Sequence, residues 1–185
     1  MKPEEAKTKN IIDMAIGFSA MTRVFEKKST EKIVNKFEST LPQITSLQND
    51  RAFQNLHDDF CQWFTQNIKT AKKSSPASYG QGAKVLDVAL KVYVYYCRLP
   101  DPKTAEQTAK WLHAAIDTEM LKHLKKYDKG IPDSEAKVVD KDTYGTLQEL
   151  VRRDIKRRFK DSILPVQWDD IVWRELNNKD KKNKK

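Results

Sequence analysis

The stretch Val85–Cys97 constrains the fold most, because its thirteen residues are apolar except for Asp87 and Lys91. The length of the run favours a helix buried on most sides, although Val92–Tyr96 is rich in the β-branched and aromatic residues that strands prefer. The two charged residues are four positions apart, where side chains on a helix meet, so we expect them to pair on one exposed strip. This segment is predicted to be the central helix of the core.

The rest of the sequence also favours helices. With 5 glycines and 7 prolines in 185 residues, the chain has too few turn residues for a β-sandwich or barrel. Apolar residues recur at helical spacing between breaks at Pro42, Pro100–Pro102, the polar stretch 125–142 and Pro165. We predict an all-α, single-domain bundle of about seven helices over residues 1–178, followed by a disordered basic tail over residues 179–185.

Two of the predicted helices are defined by long apolar faces. The first begins near Pro3, and its face would carry Met14, Phe18, Met21 and Phe25, with Ile11 and Ala15 beside them. Another begins near Thr104 and has one apolar face: Ala105, Ala109, Leu112, Ile116 and Met120.

The segment from Leu150 to Lys160 separates apolar and positive side chains onto different helical faces. The apolar stripe consists of Leu147, Val151, Ile155 and Phe159. The basic stripe on the opposite side consists of Arg152, Arg153, Lys156, Arg157 and Lys160. Arg158 falls toward the apolar side, so we expect it to form an ion pair with Asp169 or Asp170.

The positive charge of the chain is concentrated near its carboxyl end. The formal net charge is +9, and residues 150–185 contribute 12 basic and 6 acidic side chains, a net of +6. Such a surface could serve solubility alone, or it could bind the backbone of nucleic acid or an acidic protein. We predict a non-enzymatic binding or accessory protein whose basic stripe contacts one of these partners without strong sequence selectivity; a structural subunit of a larger complex is an alternative.

Cofactor, metal and membrane binding find no support in the sequence. Cys61 and Cys97 are isolated, which fits neither a disulfide framework nor the close ligand spacing of a zinc site, so we expect free thiols in a reducing cytoplasm. The first residues are acidic where a signal peptide needs a basic start, and no apolar run reaches the ~18 residues of a membrane span. The expectation is a cytoplasmic protein without cofactor, metal or membrane partner.

A second class of function is suggested by Arg51 and His57. Their Arg-x5-His spacing resembles that of HEPN-type helical ribonucleases, which implies cleavage of an RNA phosphodiester by the histidine and arginine, usually across a dimer. An imidazole can transfer protons near neutral pH while a guanidinium supports phosphate charge. In this chain Ala52 stands where that family has a polar residue after the arginine. His57 also lies between the apolar residues Phe53 and Phe60, so the alternative is that it packs at the edge of the core.

Two short motifs resemble those of uncharacterised bacterial helical proteins. Tyr79–Lys84 matches their Gly-Gln-x-x-Lys helix, and His113–Asp117 matches their His-x-Pro-Ile-Asp segment except that Ala115 replaces the proline. Pro165 with Trp168 or Trp173 would match their carboxyl-terminal proline and tryptophan. The resemblance implies an all-helical fold but no activity, so it assigns no catalytic residue.

The residues of these motifs leave several interpretations open. Gly80 and Gly82 lack the third glycine of a dinucleotide-binding fingerprint, and we expect them either to loosen the start of the central helix or to allow close packing. His113 and Asp117 would share a face of a continuous helix, or Asp117 would cap a new helix. Whether Lys84 lies near them is not determined by the sequence. The chain has four tryptophans: Trp63, Trp111, Trp168 and Trp173. Their rings could stack on bases, but we expect them to pack in the interior, with Trp173 the most exposed.

Overall fold

The computed structural model describes residues 2–18, 24–72, 74–127, 131 and 139–182. Over these residues the chain forms eight α-helices: α1 (Pro3–Phe18), α2 (Ser29–Thr40), α3 (Asp50–Asn67), α4 (Tyr79–Leu90), α5 (Pro102–Ala109), α6 (Thr118–Lys125), α7 (Lys141–Phe159) and α8 (Pro165–Lys182). A 3₁₀ turn, Leu41–Ser46, follows α2, and a π-helical segment, Lys91–Tyr96, continues α4. The predicted all-α fold is confirmed, with one more helix than the approximate seven because one predicted helix is divided.

The buried apolar residues form two clusters. The first lies among α1–α5 and the π-helical segment and contains the large side chains Phe37, Phe53, Phe60, Phe64 and Leu86. The second lies mainly among α6, α7 and α8 and contains Met120, Leu124, Leu147, Val151 and Trp168. Cys61 of α3 and Ala83 of α4 belong to the second cluster, so these two helices contribute to both.

Helix α4 lies at the centre of the fold, as the apolar run predicts, but it begins earlier, at Tyr79. A capping box fixes this start, because the Ser78 hydroxyl accepts from the Gln81 amide while the Gln81 side chain accepts from the Ser78 amide. Gly82 faces α3 so closely that a Cβ there would lie 2.9 Å from Phe64 Cβ. The glycine therefore permits close helix packing.

The predicted pairing of Asp87 with Lys91 is wrong. Asp87 is buried and bonds to residues of α3 and α7, while Lys91 forms ion pairs with Asp169 at 2.7 Å and Asp170 at 3.1 Å. Residues four positions apart on a helix can pair, as Asp87 and Lys91 were expected to do. The side of α4 that carries Asp87 is covered by α3 and α7, however, so Asp87 binds residues of those helices instead. No exposed strip exists there for the two charges to share.

The predicted continuous helix from Thr104 to Met120 is also wrong. Helix α5 ends at Ala109 and α6 begins at Thr118, with residues 112–117 non-helical between them. The Gln148 carboxamide bonds both the amide and the carbonyl of Ala114, at 3.1 and 2.9 Å, and Asp169 accepts from the Ala115 amide at 3.2 Å. Distant side chains thus satisfy backbone groups that a helix would otherwise satisfy. Asp117 caps α6, the second of the two roles considered for it.

The buried face of α1 differs in part from the predicted one. Among the α1 side chains that the structure describes, which do not include that of Phe18, the buried apolar ones are Ile11, Ile12, Ala15 and Ile16, so Ile11 and Ala15 are buried as predicted. Met14 is 51% exposed, and Phe25 lies beyond the described helix in an isolated β-bridge with Thr70. Met21 lies outside the described residues. Phe25 is nevertheless buried, because its ring packs edge-on against Phe64 at 5.2 Å between centroids.

Helix α7 buries its predicted stripe, since Leu147, Val151 and Ile155 are buried and Phe159 is half-buried. Helix α8 begins at the predicted Pro165 and its backbone stays helical through Lys182, four residues into the segment 179–185 predicted as a tail. Residues 183–185 lie outside the described residues. None of the described helices is both long and apolar enough to cross a membrane.

Candidate functional site

Four buried polar residues from four parts of the fold meet beneath a surface cavity. They are His57 of α3, Asp87 of α4, His113 of the 112–117 segment and Tyr144 of α7, and each is at most 5% exposed. We call them the His–Asp–Tyr cluster. Burying polar groups costs free energy unless they are hydrogen-bonded, so their contacts decide what the cluster can do.

The Tyr144 hydroxyl is at the centre of the cluster. It donates to Asp87 Oδ2 at 2.7 Å and lies 2.9 Å from His113 Nδ1 and 3.2 Å from His57 Nε2. His57 Nε2 is 3.0 Å from Asp87 Oδ1, so the carboxylate binds one partner with each oxygen. His113 Nε2 lies 2.9 Å from the Gln54 amide nitrogen, which donates to it and leaves the ring proton on Nδ1 facing Tyr144.

The surroundings shift the pKa values of the two imidazoles in opposite directions. Burial lowers the pKa of His57, but the neighbouring Cys61 sulfur and Asp87 carboxylate raise it more, so the net shift is upward. Burial raises the pKa of the Cys61 thiol, which is therefore neutral near pH 7, and Asp87 is the charge that favours a protonated His57. Burial and the positive charges of His57 and Arg152 lower the pKa of His113 well below 6.5, so that ring is neutral.

A cavity of about 460 Å³ opens over the cluster, and His57, His113 and Tyr144 form part of its wall. Its lining is mostly polar and includes both amide and charged side chains. Asp58, one of the acids, accepts from Lys141 at 2.6 Å and from the Tyr79 hydroxyl at 3.1 Å. The cavity therefore gives small polar solutes a route to the buried cluster.

Three residues of the cluster have donor atoms suited to a metal ion. One ligand atom each of His57, Asp87 and His113 lies within 4.8 Å of the other two. Two imidazoles and a carboxylate are a donor set used by first-row transition metals.

The sequence did not reveal this cluster because its members come from separate elements. His57 was considered only together with Arg51, Asp87 was placed on an exposed strip, and Tyr144 carried no motif. The one available signal was Asp87 itself, a charge within the most apolar run of the chain. A buried acid requires partners, but only the fold shows which residues they are.

The predicted basic stripe lies on the surface, since all five of its side chains are exposed. Two of them contact acids of the same helix: Arg153 lies 3.7 Å from Glu149, and Arg157 lies 2.7 Å from Asp154. Arg157 also covers the Tyr127 ring at 4.2 Å. The remaining three have no ion-pair partner among the described residues: Arg152, Lys156 and Lys160.

The two end residues of the basic stripe, Arg152 and Lys160, have surroundings that the helical spacing did not predict. Lys160 is the C-cap of α7 and adopts a left-handed conformation with φ 51°, so its side chain no longer follows the helical register. Arg152 is the one stripe residue that lines the cavity. The stripe thus begins at the cavity and ends where α7 ends.

The expected ion pair of Arg158 with Asp169 or Asp170 is wrong. Arg158 lies 2.6 Å from Glu175 of α8 and 3.3 Å from Asp154 of its own helix. Lys91 pairs with Asp169 and Asp170 instead. Arg158 does point toward α8, as its position on the helix indicates.

The other candidate residues do not converge on the cluster. Lys84 and Asp117 line a second cavity of about 800 Å³, whereas His113 lines the first. Arg51 is exposed and does not line the first cavity, whereas His57 does. In the part of the chain that the structure describes, the two residues therefore do not share one site. The ribonuclease hypothesis stays a prediction from sequence.

The tryptophans and cysteines behave mainly as packing residues. Trp168 is fully buried and its indole donates to Asp154 at 2.8 Å, whereas Trp173 is 48% exposed, as expected. Trp63 and Trp111 are half-buried against the first apolar cluster. Both cysteines are free, with Cys61 buried and Cys97 half-buried.

Fold and site together define an all-α protein with a buried polar cluster beneath a polar cavity, beside an exposed basic stripe. No protein-family model, curated protein or solved structure matches the chain.

Proposed function

We propose that this protein binds nucleic acid through the sugar–phosphate backbone, using the basic stripe of α7. The observation that carries the proposal is the outward exposure of four cations along one helix whose opposite face is buried, with a fifth, Lys160, exposed at the C-cap of that helix. A rigid helix holds such charges at fixed spacing, which suits a regular row of phosphates.

The internal contacts of the stripe leave most of its charge available. The Arg153–Glu149 contact joins two side chains that are 74% and 67% exposed, and exposed pairs of this kind contribute little free energy. Arg157 keeps 57% of its side chain exposed while it contacts Asp154. A phosphate can therefore compete with Glu149 for Arg153 and can approach the exposed part of the Arg157 guanidinium, which keeps its contact with Asp154.

The stripe carries no pattern that reads base edges, so binding should be nearly independent of sequence. Each phosphate neutralised on duplex DNA releases counterions and contributes about −0.9 to the slope of log K against log salt. Five contacts would give a slope of about −4 to −5. An acidic protein surface is the alternative partner predicted from sequence, and absence of nucleic-acid binding would favour it.

The test is a triple variant, Arg153→Gln, Lys156→Gln and Lys160→Gln, measured by fluorescence anisotropy with labelled duplex DNA and RNA across a salt series. These three side chains were chosen because all are exposed and none contacts a buried acid. We expect weaker binding to every sequence and a salt slope smaller in magnitude by about 3.

The matched control removes the same charge from other elements: Lys7→Gln in α1, Lys32→Gln in α2 and Lys103→Gln in α5, all at exposed positions. This variant should keep the wild-type slope. Equal loss in both variants would show that net charge alone attracts the polymer, and wild-type protein that binds neither polymer would refute the proposal.

A further inference from the structure

We propose that the His–Asp–Tyr cluster is a binding site for one Zn²⁺ ion, with His57 Nε2, His113 Nδ1, an Asp87 carboxylate oxygen and Tyr144 Oη as ligands. The inference is independent of nucleic-acid binding, because none of the four residues belongs to the basic stripe.

The geometry of the four donor atoms supports an ion at their centre. Tyr144 Oη lies 2.9 Å from His113 Nδ1, 3.2 Å from His57 Nε2 and 2.7 Å from Asp87 Oδ2, while His57 Nε2 lies 3.0 Å from the other carboxylate oxygen, Asp87 Oδ1. A tetrahedral zinc site with bonds of about 2.0 Å places neighbouring ligand atoms about 3.3 Å apart. The three distances from Tyr144 Oη are near this separation, and the ligand atoms of His57, Asp87 and His113 all lie within 4.8 Å of one another.

The chemistry of the donors favours zinc over the abundant hard cations. Mg²⁺ and Ca²⁺ prefer shells made of oxygen, whereas two imidazole nitrogens with a carboxylate suit Zn²⁺. The site contains Asp87, whose negative charge would offset part of the charge of the ion. Zinc would take the place of protons that the cluster otherwise shares among His57, Asp87 and Tyr144.

Each imidazole also has a partner for its second nitrogen, as metal-binding histidines normally do. His57 Nδ1 lies 3.7 Å from Cys61 Sγ, and His113 Nε2 lies 2.9 Å from the Gln54 carboxamide. With His113 Nδ1 bound to zinc, Nε2 carries the proton, and Gln54 would accept it by turning its amide, which gives up the 3.2 Å hydrogen bond from its nitrogen to Asp50.

The position of the site indicates a stabilising role for the ion. Its ligands come from α3, α4, the 112–117 segment and α7, so one ion would join four parts of the chain, and the cavity supplies the route of entry. Four protein ligands complete a tetrahedral shell, which is typical of structural zinc sites. We therefore expect zinc to raise the melting temperature.

The experiment uses untagged full-length protein freed of metal with a chelator and then titrated with Zn²⁺ and Co²⁺. We expect one equivalent of zinc, a higher melting temperature with zinc, and the intense visible absorption of tetrahedral Co²⁺. His113→Gln should lose at least about 10-fold in zinc affinity, since even outer-shell changes cost 10–100-fold. His123→Gln is the matched control, because His123 is the third histidine of the chain and lies outside the cluster.

Unchanged zinc affinity in His113→Gln, or loss of zinc binding in His123→Gln alone, would overturn the proposal. Wild-type protein that binds no stoichiometric zinc would show that the cluster is a hydrogen-bonded network only. If circular dichroism shows His113→Gln to be unfolded, the cobalt spectrum of the wild type decides: intense tetrahedral bands support the site, and the weak bands of octahedral Co²⁺ refute it.

Discussion

At the scale of single residues, buried carboxylates hold the helices in place. Asp154 shows this best, because it accepts hydrogen bonds from the Trp168 indole at 2.8 Å, Arg157 at 2.7 Å and Arg158 at 3.3 Å. Burial alone would raise the pKa of Asp154, but the Trp168 hydrogen bond and the Arg158 charge hold it below 3.8. The ionised carboxylate is therefore the form that stabilises the contact between α7 and α8.

We predict that Asp154→Asn lowers the free energy of unfolding at pH 7 by about 1–3 kcal/mol, because it leaves buried donors without a charged acceptor. The measurement is urea unfolding, with Glu149→Gln as control, since Glu149 is an exposed acid on the same helix. The control should change stability by less than about 0.5 kcal/mol.

The same substitution has a predicted pH dependence. A carboxyl group whose folded pKa is lowered contributes stability above its unfolded pKa of 3.8, and that contribution is lost as the pH falls through the folded value. The difference between wild type and Asp154→Asn should therefore shrink below pH 3.8. A difference that grows in acid would contradict the assignment of Asp154 as a stabilising anion.

At the scale of helices, the contact between α3 and α4 determines where the polar cluster can form. These helices carry His57 and Asp87, and Gly82 lets them approach until a Cβ at that position would touch Phe64. Gly145 of α7 offers a comparison, because a Cβ added there meets nothing within 4 Å. Both glycines lie inside helices, so alanine improves helix propensity equally at each.

We predict that Gly82→Ala is less stable than Gly145→Ala by about 1–3 kcal/mol, the usual cost of forcing extra volume into a packed contact. Gly145→Ala by itself should stabilise the protein by about 0.5–1 kcal/mol. Denaturant melts of the two variants beside wild type give both values. Equal stability of the two variants would mean that α3 and α4 separate without cost.

At the scale of the whole molecule, the 112–117 segment connects the two apolar clusters and borders both cavities. His113 lines the first cavity, while Ala115 and Asp117 line the second. Within the segment, the Gln148 and Asp169 side chains bind the backbone of Ala114 and Ala115, whereas the Asp117 carbonyl accepts from Leu121 of α6. A change at Gln148 should therefore loosen the segment while α7 remains folded.

We predict that Gln148→Ala increases hydrogen exchange of the amides in residues 112–117, because both hydrogen bonds to Ala114 are lost. Exchange followed by mass spectrometry should show little change in α3. Gln107→Ala, at an exposed position of α5, is the control and should leave the segment protected. Unaltered exchange in Gln148→Ala would show that the apolar contacts of the segment suffice to hold it.

Periodicity in the sequence predicted the elements whose stability is local. The apolar run 85–97, the stripe of α7 and the start of α8 at Pro165 were all found where repeated spacing or proline placed them. Capping residues likewise act over three or four positions, as Asn49 does where its side chain accepts from the Ala52 amide at the start of α3. Such features need no knowledge of the rest of the chain.

The features that depend on distant partners were not predictable in the same way. The break at residues 112–117 exists because Gln148 and Asp169, more than thirty positions away, bind its backbone. The partners of Asp87 and Arg158 were misjudged because helical spacing reveals neighbours on one helix but not those on another. The sequence by itself determined an all-α chain with a basic stripe, since both follow from local periodicity and charge. Only the tertiary structure decided that two histidines, an aspartate and a tyrosine meet beneath a cavity, because burial forces polar side chains to find partners wherever the packed helices bring them.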